Sequence, residues 1–210
     1  MLISLIVLVF SVIMHEISHG YVADRLGDPT ARVAGRLTLN PIPHIDLFGS
    51  ILLPFFLIAT GSPILIGWAK PVPIDPFNLK DPRRDSALIA FAGPATNLVL
   101  AGAAALLLRL TSTSEFFIVF LTQLIVINLV LAILNLLPVS PLDGFKVVGG
   151  LLPASRAHEW YQLERYGIIF LLLLLLPLGG QSMLSAIMQP ILSFLLQILI
   201  PPNALGTGII

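Results

Sequence analysis

Long uncharged runs separated by short charged stretches dominate the chain. Residues 1–14 carry no charge, and the apolar pattern continues through Ala23, which predicts a first membrane-spanning helix. Ser86–Leu108 and Phe116–Leu137 each reach the roughly 20 apolar residues that a spanning helix needs. The linker between them, Arg109–Glu115, is so short that these two helices are expected to be antiparallel neighbours. The apolar C-terminal stretch reads as a helical hairpin, 164–178 and 183–200, broken at "PLGGQ" by Pro177, Gly179 and Gly180. Arg32–Asn40 has a different rhythm: Arg32, Arg36, Thr38 and Asn40 share one parity, and Val33, Leu37 and Leu39 the other. That period predicts a half-buried strand or hairpin near 31–40, at the membrane surface or dipping beside the bundle, with a plain juxtamembrane loop as the alternative.

Topology follows from the loops. Ten of the eleven basic residues fall in three segments, around Arg25–Arg36, Lys70–Arg84 and Lys146–Arg165. The positive-inside rule places all three on the cytoplasmic side, with the N-terminus outside. Leu47–Gly67 then lies between two loops on the same side and cannot cross once. It is also too short to cross twice. A re-entrant hairpin is expected, bent at Pro54 and turning near Thr60–Pro63, the alternative being a true span that violates the rule in one loop.

Composition agrees with a membrane protein: 57% of residues are hydrophobic, 10% are charged and mean hydropathy is +0.98, against about 25% charged in soluble domains. The fold class expected is an all-α integral membrane protein. It has about five transmembrane helices in a single domain over 1–210, with a core at about 1–150 and the C-terminal hairpin at about 160–201. Net charge is zero, which argues against nucleic acid as a partner. The absence of cysteine excludes disulfides and thiolate chemistry. The first helix lacks a basic leader and a small-residue cleavage site, so it is expected to stay in the membrane.

Against this background "MHEISHG" (Met14–Gly20) stands out. Ionisable groups inside a membrane each cost about 2.5–3.5 kcal/mol on insertion scales and mark a buried or wet functional site. On a helix, His15 and His19 lie one turn apart on one face, where both imidazoles can reach one metal. Glu16, one residue round, can act as general base on a water. At 1.5 Å per residue, His15 lies roughly 20 Å along the helix. In a core about 30 Å thick, that is roughly 10 Å from the cytoplasmic face. The alternative is a snorkelling polar helix end with Glu16 paired to an arginine. A catalytic zinc takes three protein ligands. His44 and His158 sit in charged loops, whereas Asp143 follows the third long span in the proline-broken stretch "NLLPVSPLDG" (Asn135–Gly144), at the same depth.

His15-Glu16-Ile17-Ser18-His19 together with Asn135-x-x-Pro138-x-x-x-Leu142-Asp143-Gly144 resembles the site-2 protease family of intramembrane zinc metalloproteases. "AGPATN" (Ala92–Asn97) is similar to the family's G-P-x-x-N. "GWAKPVP" (Gly67–Pro73) and "GRLTLNPIPHID" (Gly35–Asp46) resemble its compact bacterial and archaeal branch, which has no PDZ or CBS module. The resemblance implies one Zn2+ per chain on His15, His19 and Asp143, with Glu16 activating water. It also offers Asn135 and Asn97 for hydrogen bonds to substrate backbone or the oxyanion. It implies a single-span membrane protein as substrate, cleaved in or near the lipid bilayer of the plasma membrane by a site nearer the cytoplasmic face. A strand over Arg36, Leu37, Thr38 and Leu39 would hold the unwound substrate by β-addition. The competing reading is a zinc-binding membrane transporter or scaffold without protease activity. The oligomeric state is left open.

Overall fold

The computed structural model describes residues 2–60, 67–110, 114–178 and 180–201. Nine α-helices order the described chain: α1 (Leu2–Leu26), α2 (Thr30–Val33), α3 (Leu53–Ala59), α4 (Pro82–Leu110), α5 (Glu115–Asn135), α6 (Asp143–Leu151), α7 (Ala154–Gln162), α8 (Gly167–Leu175) and α9 (Met183–Leu199). The only strands among the described residues are the two-residue β1 (Pro177–Leu178) and β2 (Gln181–Ser182), which pair antiparallel at the predicted break in the C-terminal hairpin. The fold is therefore all-α, and α1, α4 and α5 are long and apolar enough to span a membrane.

The expected five spans are three long helices plus shorter apolar ones. A 3-10 turn over Leu163–Tyr166 delays α8, and Leu176 ends it before Pro177. At nine residues, α8 is only about 14 Å long.

α4 is the spine, lying against α1, α5 and α6. The small face Ala101, Ala104 and Ala105 admits Leu121, Ile125 and Leu129 of α5 and Leu196 of α9 at close range. Small residues let helix backbones approach where lipid supplies no hydrophobic drive. α1 ends at Gly27, whose φ of +113° suits glycine, while the Asp28 N–H reaches back to the Ala23 carbonyl at 2.9 Å. Asp28 is fully buried and accepts from the Thr30 hydroxyl, Thr30 N (3.1 Å), Asp75 N (2.7 Å) and Asn78 Nδ2 (2.9 Å), which fastens the start of α4's approach to the end of α1.

The strand expected near 31–40 is absent. Its first residues belong to α2, and Leu37–Leu39 bend. Side chains explain why: Thr38 Oγ1 accepts from Asn40 N (3.2 Å), Asn40 Oδ1 accepts from Ile42 N (3.1 Å), and His44 Nε2 reaches the Thr38 carbonyl (3.0 Å). Such local bonds compete with extended pairing. The alternation is lost as well, because Arg36 is buried while Arg32 and Asn40 of its own parity are exposed, as are Val33 and Leu39 of the other. His44, although it sits in a charged loop, is also buried.

The excursion 47–67 begins as a π-helical turn, Leu47–Leu52, continues as α3, and reaches Thr60 as the α3 C-cap; the rest of the predicted turn, residues 61–63, lies outside the described residues. Its two ends meet. Trp68 N–H donates to the Gly49 carbonyl (3.2 Å), Ser50 Oγ to the Trp68 carbonyl (2.8 Å), and Lys70 N–H to the His44 carbonyl (2.9 Å). A segment joined at its base returns to the side it left, which excludes a single crossing.

Candidate metal centre

α1 delivers His15 and His19 from one face, both buried. Across from them, Gly93 of α4 leaves the room they occupy: a Cβ there would stand 2.5 Å from His15 Cε1 and from His19 Cε1 and Nε2. After α5, the chain folds tightly through Leu136–Leu142, including a cis Ser140–Pro141 peptide, before α6 begins at Asp143. Gly144 is needed here too, since a Cβ would overlap the Leu136 and Leu137 carbonyls. The Asp143 carboxylate makes no cap for α6 and turns to the histidines instead.

Three donors converge. His15 Nε2 and His19 Nε2 are 3.0 Å apart, and Asp143 Oδ2 lies 3.1 and 3.3 Å from them. Ligands at about 2.0–2.1 Å around a tetrahedral zinc stand about 3.3 Å from one another, so the spacing fits. The chemistry of the donors fits as well. His15 Nδ1 faces Asn97 Oδ1 at 2.6 Å and His19 Nδ1 faces the Ile89 carbonyl at 2.7 Å. An oxygen of this kind only accepts, so each Nδ1 carries the hydrogen and each Nε2 presents a lone pair. Asp143 Oδ2 is buried with no hydrogen-bond donor. Two lone pairs and a carboxylate oxygen crowded together in a buried place repel one another unless a cation sits among them.

Glu16 faces the same cavity, which has a volume of about 1070 Å³ and is also lined by Asn135, Trp68 and Pro71. Glu16 Oε2 accepts the Val72 N–H at 2.9 Å. Val72 lies between Pro71 and Pro73, so its amide is the sole backbone donor of that tripeptide. The extended run from Gly67 to Ile74 is held through alternate residues: Trp68 at the neck of the excursion, Lys70 by His44 and by Arg36 Nη2 (2.5 Å to its carbonyl), and Val72 by Glu16.

Of the sequence-predicted residues, His15, Glu16, His19, Asp143 and Asn135 share this cavity; Asn135 Nδ2 bonds the Leu131 carbonyl of its own helix at 3.0 Å. Asn97 is corrected. It is fully buried behind His15, with Nδ2 on Asn128 Oδ1, and cannot touch a substrate. Arg36, Leu37, Thr38 and Leu39 are corrected too, because none lines the cavity and the segment that does is Trp68–Ile74. Its signal was the pair of prolines, since residues before proline favour extended backbone. Asn128, a fully buried amide in an apolar span, is the functional residue that the sequence reading missed, although the cost of burying it is the argument that singled out His15.

A membrane helix bundle with two histidines and an aspartate converging on one point defines a class, the membrane-embedded proteins with a candidate metal centre. Peptidase family M50 matches residues 3–117 and 109–178, and the chain belongs to this family, that of the site-2 proteases. It is 40% identical to "Putative zinc metalloprotease YwhC" of Bacillus subtilis over 89% of this chain and 93% of that protein. It is 32% identical to "Putative zinc metalloprotease Rip2" of Mycobacterium tuberculosis over 79% of this chain and 63% of that protein. With "Putative zinc metalloprotease Rip3" of the same species, identity is 33% over 74% of this chain and 30% of the longer protein. No solved structure matches the chain. The chain is accordingly a membrane protein of a zinc metalloprotease family.

Proposed function

We propose that the chain is an intramembrane endopeptidase that binds one zinc ion on His15, His19 and Asp143 and cleaves single-span membrane proteins in or near their transmembrane segment. The convergence of these three donors in the cavity that also holds Glu16 carries the reading. Zinc bound there would acidify a water and polarise the scissile carbonyl. Glu16 takes the proton from the attacking water and returns it to the leaving amine. The Val72 N–H orients that carboxylate, and Asn135 lines the same cavity within reach of a substrate. Helical substrate must unwind before its carbonyls are accessible, and the outer edge of Gly67–Ile74, rather than Arg36–Leu39, is the backbone along which it would lie.

The basic loops favour a multi-pass arrangement in the plasma membrane, with the N-terminus outside and the site nearer the cytoplasmic face. Residues 1–150 would form the catalytic core and 160–201 an accessory hairpin. Purified protein and Glu16→Gln, each loaded with zinc, are to be compared on a panel of single-span substrates. Cleavage by the wild type alone supports the proposal. Zinc binding by both without cleavage by either would favour a transporter or scaffold, and Asp143→Ala should lose the metal.

A further inference from the structure

The two histidines are oriented by unlike partners. His19 Nδ1 meets the Ile89 backbone carbonyl, which can only accept. His15 Nδ1 meets a side-chain amide, Asn97, and an amide has two faces. With its oxygen toward the ring, Nδ1 carries the hydrogen and Nε2 is free for a metal. With its NH2 toward the ring, Nδ1 must accept, and Nε2 then carries the hydrogen and is lost as a ligand. Something must decide which face is shown.

We infer that Asn128 is a positioning residue that, acting through Asn97, holds His15 in the tautomer that presents Nε2 to zinc. Asn128 is fully buried in α5. Its Nδ2 lies 2.8 Å from the Leu124 carbonyl and 2.8 Å from Ser11 Oγ. The Leu124 carbonyl accepts only, so Asn128 must turn its NH2 that way and its oxygen toward Asn97. Asn97 must then donate, and its Nδ2 stands 2.7 Å from Asn128 Oδ1 and 3.4 Å from the Ser11 carbonyl. Only the Asn97 oxygen is left for His15, at 2.6 Å. Polarity set by one helix carbonyl is handed through two amides, from α5 to α4 to α1. Without Asn128, only the long Ser11 contact opposes a flip of Asn97, and the tautomer is no longer fixed. This rests on the zinc reading above only for its consequence on affinity; the tautomer itself is a property of the metal-free protein.

The test uses the full chain purified in detergent, with zinc affinity read by chelator competition and the His15 tautomer by 15N NMR of metal-free protein. Asn128→Leu and the smaller Asn128→Ala, either of which serves if the other does not fold, should weaken zinc about 10–100-fold, the size seen when ligand-orienting partners are lost. The Nδ1–H signature of His15 should give way to a mixture containing Nε2–H. The same changes made on Asn97→Asp, which shows oxygen to His15 whichever way it turns, should alter affinity by less than about twofold. An equal loss in both backgrounds, or no loss in either with the tautomer unchanged, overturns the relay. Failure of the wild type to bind zinc would instead defeat the zinc reading, and the tautomer measurement would still decide the relay.

Discussion

Two segments between the first and second long helices present opposite lessons. Arg32–Asn40 alternates polar and apolar residues as a strand does, yet it bends and keeps clear of the cavity. Gly67–Ile74 has two prolines and no alternation, yet it runs extended along the site with its one proline-flanked amide on Glu16. Alternation records which way side chains would point if the backbone were extended. What makes the backbone extended is the set of bonds it can and cannot make. In the first segment Thr38 and Asn40 offer local acceptors that fold it on itself. In the second, proline removes the donors that would do so and leaves alternate residues to be pinned from outside.

The largest expected effect comes from removing the contact that sets the two segments apart. Val72→Pro deletes the amide bonded to Glu16 and should lower kcat about 100-fold, the scale of a catalytic group misplaced by about 1 Å. Zinc content should stay at wild-type level. Leu39→Pro in the other segment should retain most activity, and equal losses from the two substitutions would erase the distinction. Gly49→Ala acts next. Its Cβ would overlap the Trp68 indole and push the neck of the excursion open, with activity expected to fall about tenfold, or roughly 1.4 kcal/mol of barrier.

Arg36→Met, which releases the Lys70 carbonyl, should lower kcat about threefold, less than 1 kcal/mol on the same scale. Arg36→Lys should restore part of it, and a change in KM alone would contradict a positioning role.

The smallest effect concerns Asp28, which ties Asp75 and Asn78 to the end of α1. Burial opposes its charge, but the bonds from Thr30, Asn78 and Asp75 outweigh this and hold the carboxyl below its ordinary value. A lowered folded pKa means that the ionised group stabilises the fold above the ordinary carboxylate pKa and that this contribution fades as pH falls through the folded value. Wild type should therefore lose more melting temperature than Asp28→Asn between roughly pH 5 and pH 2. Parallel curves would show that Asp28 contributes nothing.

The three long helices and the polar cluster that could hold a metal were legible in the sequence because both depend on solvent. An uncharged run of sufficient length has few homes but lipid, and His15, Glu16, His19 and Asp143 are conspicuous because each is a polar group in an apolar stretch. The base of the excursion was legible through the charge of its flanking loops. What could not be read is what depends on who faces whom. Asn97 looked like a hand for substrate because its motif lies near the site, and only the packing of α4 between α1 and α5 shows it to be spoken for by His15 and Asn128. Arg36 looked solvent-facing by parity and is buried on the Lys70 carbonyl. The C-terminal pair was placed correctly and only its first helix drawn too long, since a run of leucines shows that a helix is apolar and says nothing about the 3-10 turn that precedes it.

The Pro71-Val72-Pro73 tripeptide has one more consequence. Proline has no amide hydrogen, so this stretch holds a single exchangeable backbone proton, and that proton rests on the Glu16 carboxylate. In deuterated solvent, isotope uptake within Pro71-Val72-Pro73 reports Val72 alone. Its rate follows how often the carboxylate lets go. The chain thus carries, in the amide that rests on Glu16, a native isotopic clock for that side chain's release.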